Sequence, residues 1–425
     1  MLDMIRAYAS ERFALEVDDR AVRANHYRYY LALAEHHGTE RALWGADGAH
    51  HLAQLDAESD NLHSALGWAI ESAEVERALT LVAALGCYWI TRARYAEALD
   101  WVDQALRLPG TDAQPALRVR ALGTKATCLW HVGRGSEQPV VASAMEADAR
   151  QLGDPVLISR ALQLRSALAL NADQSEAATA YADDALHWST VAGDEWEIAG
   201  ASRARATSST TLEDLRERVE TAASLLTSVG NVRQLASLLT SAAYAALCLG
   251  SERDAAVFAA RATPVARTLS SPFERMINSG NAGLAALFTG DTVAASHAFR
   301  DELALCRELV VRPVAFEGLL GLAALAVLDG EDTRAATLVG AAAAHRYDNP
   351  EDRVEVRLET TFFDRARARV GTVAWDEAAR EGGALSFEDA IAYALEEPPA
   401  HSSAPNTLAP VPMGSREIAP VPPRA

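Results

Sequence analysis

The chain is 425 residues long and carries 58 Asp and Glu against 39 Lys and Arg, a formal net charge of −19. That surplus of acid repels a phosphate backbone and argues against nucleic-acid binding by the chain itself. Its four cysteines, Cys87, Cys128, Cys248 and Cys306, lie far apart with no Cys-x-x-Cys pair, which excludes a zinc knuckle or a redox motif and reads as reduced, buried thiols in the cytoplasm.

Alanine, leucine, arginine and glutamate dominate and aromatics are only 6%, a mix that favours helices because these side chains lose little freedom there. The single lysine, Lys125, reads as the codon bias of a GC-rich bacterial genome. The N-terminal run MLDMIRAYASERF has charges at Asp3 and Arg6 and no apolar centre, so it is not a signal peptide. No apolar run approaches the ~18 residues a membrane span needs.

Residues 1–75 read as adaptor helices: Leu2 to Glu16, Arg20 to His37, then a segment through Trp44 and Leu52 to Trp68. His36, His37, His50, His51 and His63 stand near Asp56, Glu58 and Asp60. Neighbouring histidines point to different faces of a helix, and neither His-x-x-x-His nor His-Glu-x-x-His occurs, so no metal is expected.

From residue 76 to 347 the sequence repeats. Gly250, Gly290 and Gly330 are 40 residues apart; seven before each stands Ala243, Gly283 or Ala323, and five after each stands Ala255, Ala295 or Ala335. The same register holds around Ala93, Gly133 and Asp173, with Gly86, Ala126 and Ser166 before them and Ala98, Gln138 and Ala178 after. Tyr95, Leu99, Val102 and Leu106 form one apolar helical stripe. Gly153-Asp154, Gly193-Asp194 and Gly230-Asn231 read as a helix end followed by a cap. Each unit is therefore helix, turn, helix, with small residues where paired helices touch, about seven hairpins in all. The pattern resembles the tetratricopeptide repeat, most closely in RYAEALDWVDQAL (Arg94 to Leu106), with a period longer than the usual ~34. The resemblance implies an all-α, right-handed α-solenoid.

Residues 348–397 read as a C-terminal helical cap. Residues 398–425 hold half of the 16 prolines and are expected to be a disordered tail. The segments MLDMIRAYASERF, HYRYYLALAEHH, LDAESDNLHSALGWAIE, ATLVGAAAAHR (Ala336 to Arg346) and ALSFEDAIAYALEE (Ala384 to Glu397) resemble the C-terminal half of bacterial LuxR-type and AfsR/SARP-type transcriptional regulators. In that family a P-loop ATPase precedes the matching region and a DNA-binding helix-turn-helix can follow it. Here Lys125 follows Thr124 in Gly-Thr-Lys, so the chain encodes no Walker A motif.

No Gly-x-Ser-x-Gly or spaced nucleophile and base stands out, and no enzyme activity, cofactor or membrane partner is expected. In tetratricopeptide-like arrays, first-helix positions beside the small residues line a concave groove. In the first half these are Arg120, Thr127, His131, Arg160, Gln163 and Asn171; in the second half Leu284, Phe288, Ala324 and Leu328. Arg120 and Arg160 sit one repeat apart and are expected to point the same way, fit for a carboxylate or phosphate, unless each pairs with an acid nearby. The expected function is a non-enzymatic, cytoplasmic sensor or scaffold module of a transcriptional regulator that binds a partner protein, a peptide or a small effector. Two alternatives stay open: the C-terminal part of a larger P-loop ATPase regulator, and a free-standing receptor for a signalling peptide.

Overall fold

Seven helical hairpins follow one another from Val75 to His345 in a computed structural model that describes residues 19–346 and 353–396. The expected helix Leu2 to Glu16 and the tail 398–425 lie outside the described residues. Four adaptor helices come first: α1 (Asp19–His37), the single turn α2 (Glu40–Leu43), α3 (Gly48–Ala57) and α4 (Ser59–Glu71). The hairpins are α5 (Val75–Thr91) with α6 (Tyr95–Leu106), α7 (Pro115–His131) with α8 (Gln138–Leu152), α9 (Pro155–Asn171) with α10 (Ser175–Ala192), and α11 (Glu195–Thr207) with α12 (Leu212–Ser228). They continue as α13 (Val232–Cys248) with α14 (Glu252–Ala266), α15 (Phe273–Thr289) with α16 (Thr292–Leu309), and α17 (Arg312–Leu328) with α18 (Asp332–His345). A cap of α19 (Arg353–Leu358), a π-helical turn (Glu359–Phe363), α20 (Asp364–Val370), α21 (Thr372–Gly383) and α22 (Phe387–Leu395) completes the described chain. The fold is all-α.

The repeat register is a repeat of turn chemistry. Ala93, Gly133, Asp173, Gly250, Gly290 and Gly330 all adopt positive φ, between 53° and 84°. After each, a backbone N–H donates to the carbonyl five residues earlier, as Ser251 does to Ala246 at 2.8 Å, Asp291 to Ala286 at 2.9 Å and Glu331 to Ala326 at 2.8 Å. This left-handed closure satisfies the last carbonyls of the first helix. The fourth hairpin departs from it: its turn carries no positive φ, and the Thr211 hydroxyl instead accepts from Asp214 N at 3.2 Å. Between hairpins, Asp154, Asp194 and Asn231 accept backbone N–H groups of the next helix, the capping expected of those residue types.

Smallness in the register has a steric cause. A Cβ on Gly283 would lie 2.6 Å from Phe299 Cε1, and one on Gly86 would lie 2.3 Å from Thr124 Oγ1. Ala126, Ala243 and Ala323 are fully buried. The apolar interior forms two clusters that meet at α11, where Ala201 joins the first and Ala199 the second. The array also curls back on itself: His131 at the end of α7 lies 4.8 Å, ring to ring, from Phe273 at the start of α15. No described helix is long and apolar enough to cross a membrane.

Candidate functional site

The inner helices α5, α7, α9 and α11 present equivalent positions to one space. Thr80, Arg120 and Arg160, each thirteen residues before its turn, line a cavity of about 760 Å³ together with Gly123 and Gln163 at ten before and Cys87 and Thr127 at six before. Leu117, Met145, Leu157 and Leu164 add apolar wall, and Gly200 and Gln234 add a polar end. A pocket of this size suits a small organic ligand.

The opposite side of the cavity is made by the adaptor. Between α1 and α3 the chain crosses the groove as a strap from Gly38 to Gly45. Gly38 sits against the backbone of α5, where a Cβ would fall 2.2 Å from Ala84 O, so no larger residue fits. Arg41 donates to both carboxylate oxygens of Asp194 at 2.7 Å and lies over the Trp196 ring at 5.3 Å. Glu40 accepts from Arg160 at 3.0 and 3.2 Å and from Trp196 Nε1 at 3.4 Å. Trp44 accepts from Val232 N at 3.0 Å through its carbonyl, donates from Nε1 to Thr91 Oγ1 at 3.3 Å, and is covered by the Arg233 guanidinium at 4.7 Å. The strap thereby touches four hairpins beyond its own segment.

The expected groove residues divide. Arg120, Thr127, Arg160 and Gln163 share the cavity wall. Arg120 is exposed at the rim. Arg160 does not stand free beside it: its guanidinium also donates to Glu197 at 2.7 and 3.0 Å. Burial opposes its charge, but Glu40 and Glu197 outweigh burial and hold it firmly protonated. The shared-anion arrangement expected for Arg120 and Arg160 is thus replaced, at Arg160, by carboxylates of the protein itself. His131 lies outside the wall, buried and stacked on Tyr95 at 3.8 Å, with Nδ1 2.8 Å from Thr127 O. Burial drives its pKa down to about 3, so it is neutral at physiological pH. Asn171 is exposed at the end of α9 and does not reach the cavity. In the second half, Leu284 and Ala324 are core residues, and Phe288 is covered by Arg357 at 3.8 Å and by Phe362 of the cap. Leu328 is 52% exposed. Apart from Leu328, the apolar end is therefore packed rather than open.

Sequence reading missed the strap residues Glu40, Arg41 and Trp44, because their partners stand up to 188 positions away, as Val232 does from Trp44. It also missed Arg233, which pairs with Glu274 at 3.0 Å deep in the interior, with side-chain exposures of 15% and 6%. The histidines flank the strap: His37 Nδ1 and His51 Nδ1 lie 2.9 Å apart, with His36 and His50 beside them. Among the described residues, no three His, Cys, Asp or Glu side chains are placed to hold a metal ion.

No protein-family model matches the chain. It is similar to proteins of Mycobacterium bovis and Mycobacterium tuberculosis that are provisionally named HTH-type transcriptional regulators, at 30% identity over 207 residues. The match takes in 47% of this chain and 23% of each relative, so the matched segment spans under a quarter of the relatives' length.

Proposed function

We propose that the chain is the recognition module of a bacterial transcriptional regulator of the LuxR or AfsR/SARP type, holding a partner peptide or small effector in the cavity beneath the strap and catalysing no reaction. One observation carries the reading: residues at equivalent register positions of successive hairpins, Arg120 with Arg160 and Gly123 with Gln163, line one ligand-sized space. The likeness to mycobacterial transcriptional regulators supports the regulatory context. A tetratricopeptide-like array suits the role, since stacked hairpins build a continuous concave surface. The greater length of the relatives favours a second reading, in which the module works joined to an ATPase part of a larger cytoplasmic regulator.

Transcript profiling tests the first reading. Gly123 faces the cavity, and its Cβ position meets Met145 Cε at an ordinary 3.5 Å, so Gly123→Trp fills the space without a backbone clash. Introduced at the native locus, Gly123→Trp is expected to change a defined set of transcripts, while Asn171→Ala leaves them unchanged. Indistinguishable transcript profiles for Gly123→Trp and the parent sink the proposal. For the second reading, tight binding of a fluorescent ATP analogue by the purified chain would speak against a chain that itself lacks a nucleotide site.

A further inference from the structure

We infer that the cavity takes an uncharged ligand whose polar head carries N–H or O–H donors, received at the polar end by the side-chain oxygens of Gln163 and Gln234. The inference rests on the cavity reading above and adds the chemistry of what fills it.

Three observations converge. The first is that the donors of the wall are already in use. Thr80, Thr124 and Thr127 line the cavity. Each hydroxyl donates to the carbonyl four residues earlier, at Glu76, Arg120 and Gly123, over 2.7, 3.3 and 3.1 Å. A carbonyl oxygen only accepts, so these hydroxyls have lone pairs left to offer a ligand and no hydrogen. The two indole N–H groups of the wall are spent as well, Trp44 on Thr91 Oγ1 and Trp196 on Glu40.

The second is a pair of converging acceptors. Gln163 of α9, Gly200 of α11 and Gln234 of α13 all line the cavity. A Cβ at position 200 would lie 3.1 Å from Gln234 Oε1 and 3.6 Å from Gln163 Oε1, so both oxygens face one point that glycine leaves open. The Gln163 amide is oriented by its neighbour: Ser159 Oγ donates to Ala185 O at 2.8 Å and therefore accepts from Gln163 Nε2, at 3.4 Å. Gln234 Oε1 is buried with no hydrogen-bond partner. Buried polar atoms in native proteins almost always have partners, and an acceptor left without one in a cavity wall calls for a donor on the ligand.

The third is charge. The ionic residues of the wall are committed to one another, Arg41 to Asp194 and Arg160 to Glu40 and Glu197, and the two others, Glu35 and Arg120, are exposed to solvent. A charged head at the Gln163–Gln234 end would be desolvated with no counter-charge free to meet it, which is costly. A neutral amide or hydroxyl head meets the acceptors without that cost. Leu117, Met145 and Leu164 then offer apolar wall to the rest of the ligand.

The test is isothermal titration of the full chain with octanamide, octanol, N,N-dimethyloctanamide, octanoate and octylammonium, which share one tail and differ in the head. Saturable binding of octanamide or octanol is expected, and the tighter of the two tells an amide head from a hydroxyl head. N,N-dimethyloctanamide keeps the carbonyl and lacks the N–H, so it should bind about tenfold or more weakly than octanamide, as should octanoate and octylammonium. Gln234→Met keeps the length of the side chain and removes the acceptor, and should weaken octanamide binding by a similar factor. Because Gln234 Oε1 has no partner in the protein, Gln234→Met should melt no lower than the parent, so loss of binding is separable from loss of fold. Equal affinity for the two amides, equal affinity in parent and Gln234→Met, or no saturable binding of octanamide or octanol overturns the inference. If the two amides bind the parent alike and Gly123→Trp abolishes both, the cavity reading stands and the donor reading fails. If Gln234→Met abolishes octanamide binding and Gly123→Trp leaves it intact, the donor site stands and the cavity reading fails.

Discussion

Glu40 and Arg160 are 120 positions apart in sequence and meet in a two-pronged ion pair, with N–O distances of 3.2 and 3.0 Å. The pair ties the adaptor to the third hairpin, and through Glu197 to the fourth. It closes the cavity from the side that an isolated helical array would leave open.

Removing the two partners should have unequal effects. Glu40→Ala leaves Arg160 with Glu197 and is expected to cost about 1 kcal/mol, since both members are about one-third exposed and solvent screens the pair. Arg160→Ala leaves Glu40 facing Glu197, which is 7% exposed, and is expected to cost roughly 2–3 kcal/mol, below the range for a fully buried pair. Urea unfolding measures both. The cavity-lining Cys87, whose thiol pKa is pushed up by burial first and by Glu40 next, gives a local readout: in a Cys248→Ser background it should react faster with a thiol reagent once Glu40 is removed. Equal costs for the two substitutions and unchanged Cys87 reactivity would mean that the strap is held by other contacts.

His131 makes stability depend on pH. Its folded pKa, near 3, lies below the ordinary 6.5, so the unfolded chain binds the proton more readily. The stability it contributes is complete above about pH 6.5 and is lost as pH falls toward the folded value. At pH 5 the loss amounts to roughly 2 kcal/mol. His26, His37 and His345, also lowered chiefly by burial, add in the same direction. His131→Phe keeps a ring on Tyr95 and removes the proton site, so its unfolding free energy should change less between pH 7 and pH 5 than the parent's. Parallel pH profiles for variant and parent would count against a buried neutral imidazole.

How much of this was legible in the sequence follows from distance along the chain. The turns at Gly250, Gly290 and Gly330 were readable because a left-handed closure and its small neighbours are local chemistry repeated every 40 residues. Arg120, Thr127, Arg160 and Gln163 were readable as cavity residues because equal register puts them on equivalent helix faces. His131 shares that face, but Phe273 of the sixth hairpin closes over it at 4.8 Å, and no local pattern announces that contact. The strap, and the commitment of Arg160 to Glu40 and Glu197, were hidden for the same reason.

Gly321 tests the packing half of the account. Its Cβ position lies 2.3 Å from Phe299 Cζ, and Gly283 presses on the same ring from α15, so Phe299 of α16 is seated between two glycine faces. Gly321→Ala is expected to lose about 1–3 kcal/mol through overpacking. Adding Phe299→Leu should recover part of that loss, so that the double variant is less destabilised than the sum of the singles. Simple additivity would show that the ring and the glycine do not touch.

The central claim is that the cavity under the strap holds a ligand, and native mass spectrometry of the full chain, purified gently from the cells that make it, tests that most directly. The parent should carry a bound mass of the order of a few hundred daltons, the class of ligand such a pocket accommodates, and folded Gly123→Trp should not. Identical spectra for the two proteins, whether both carry the same mass or neither carries any, would contradict it.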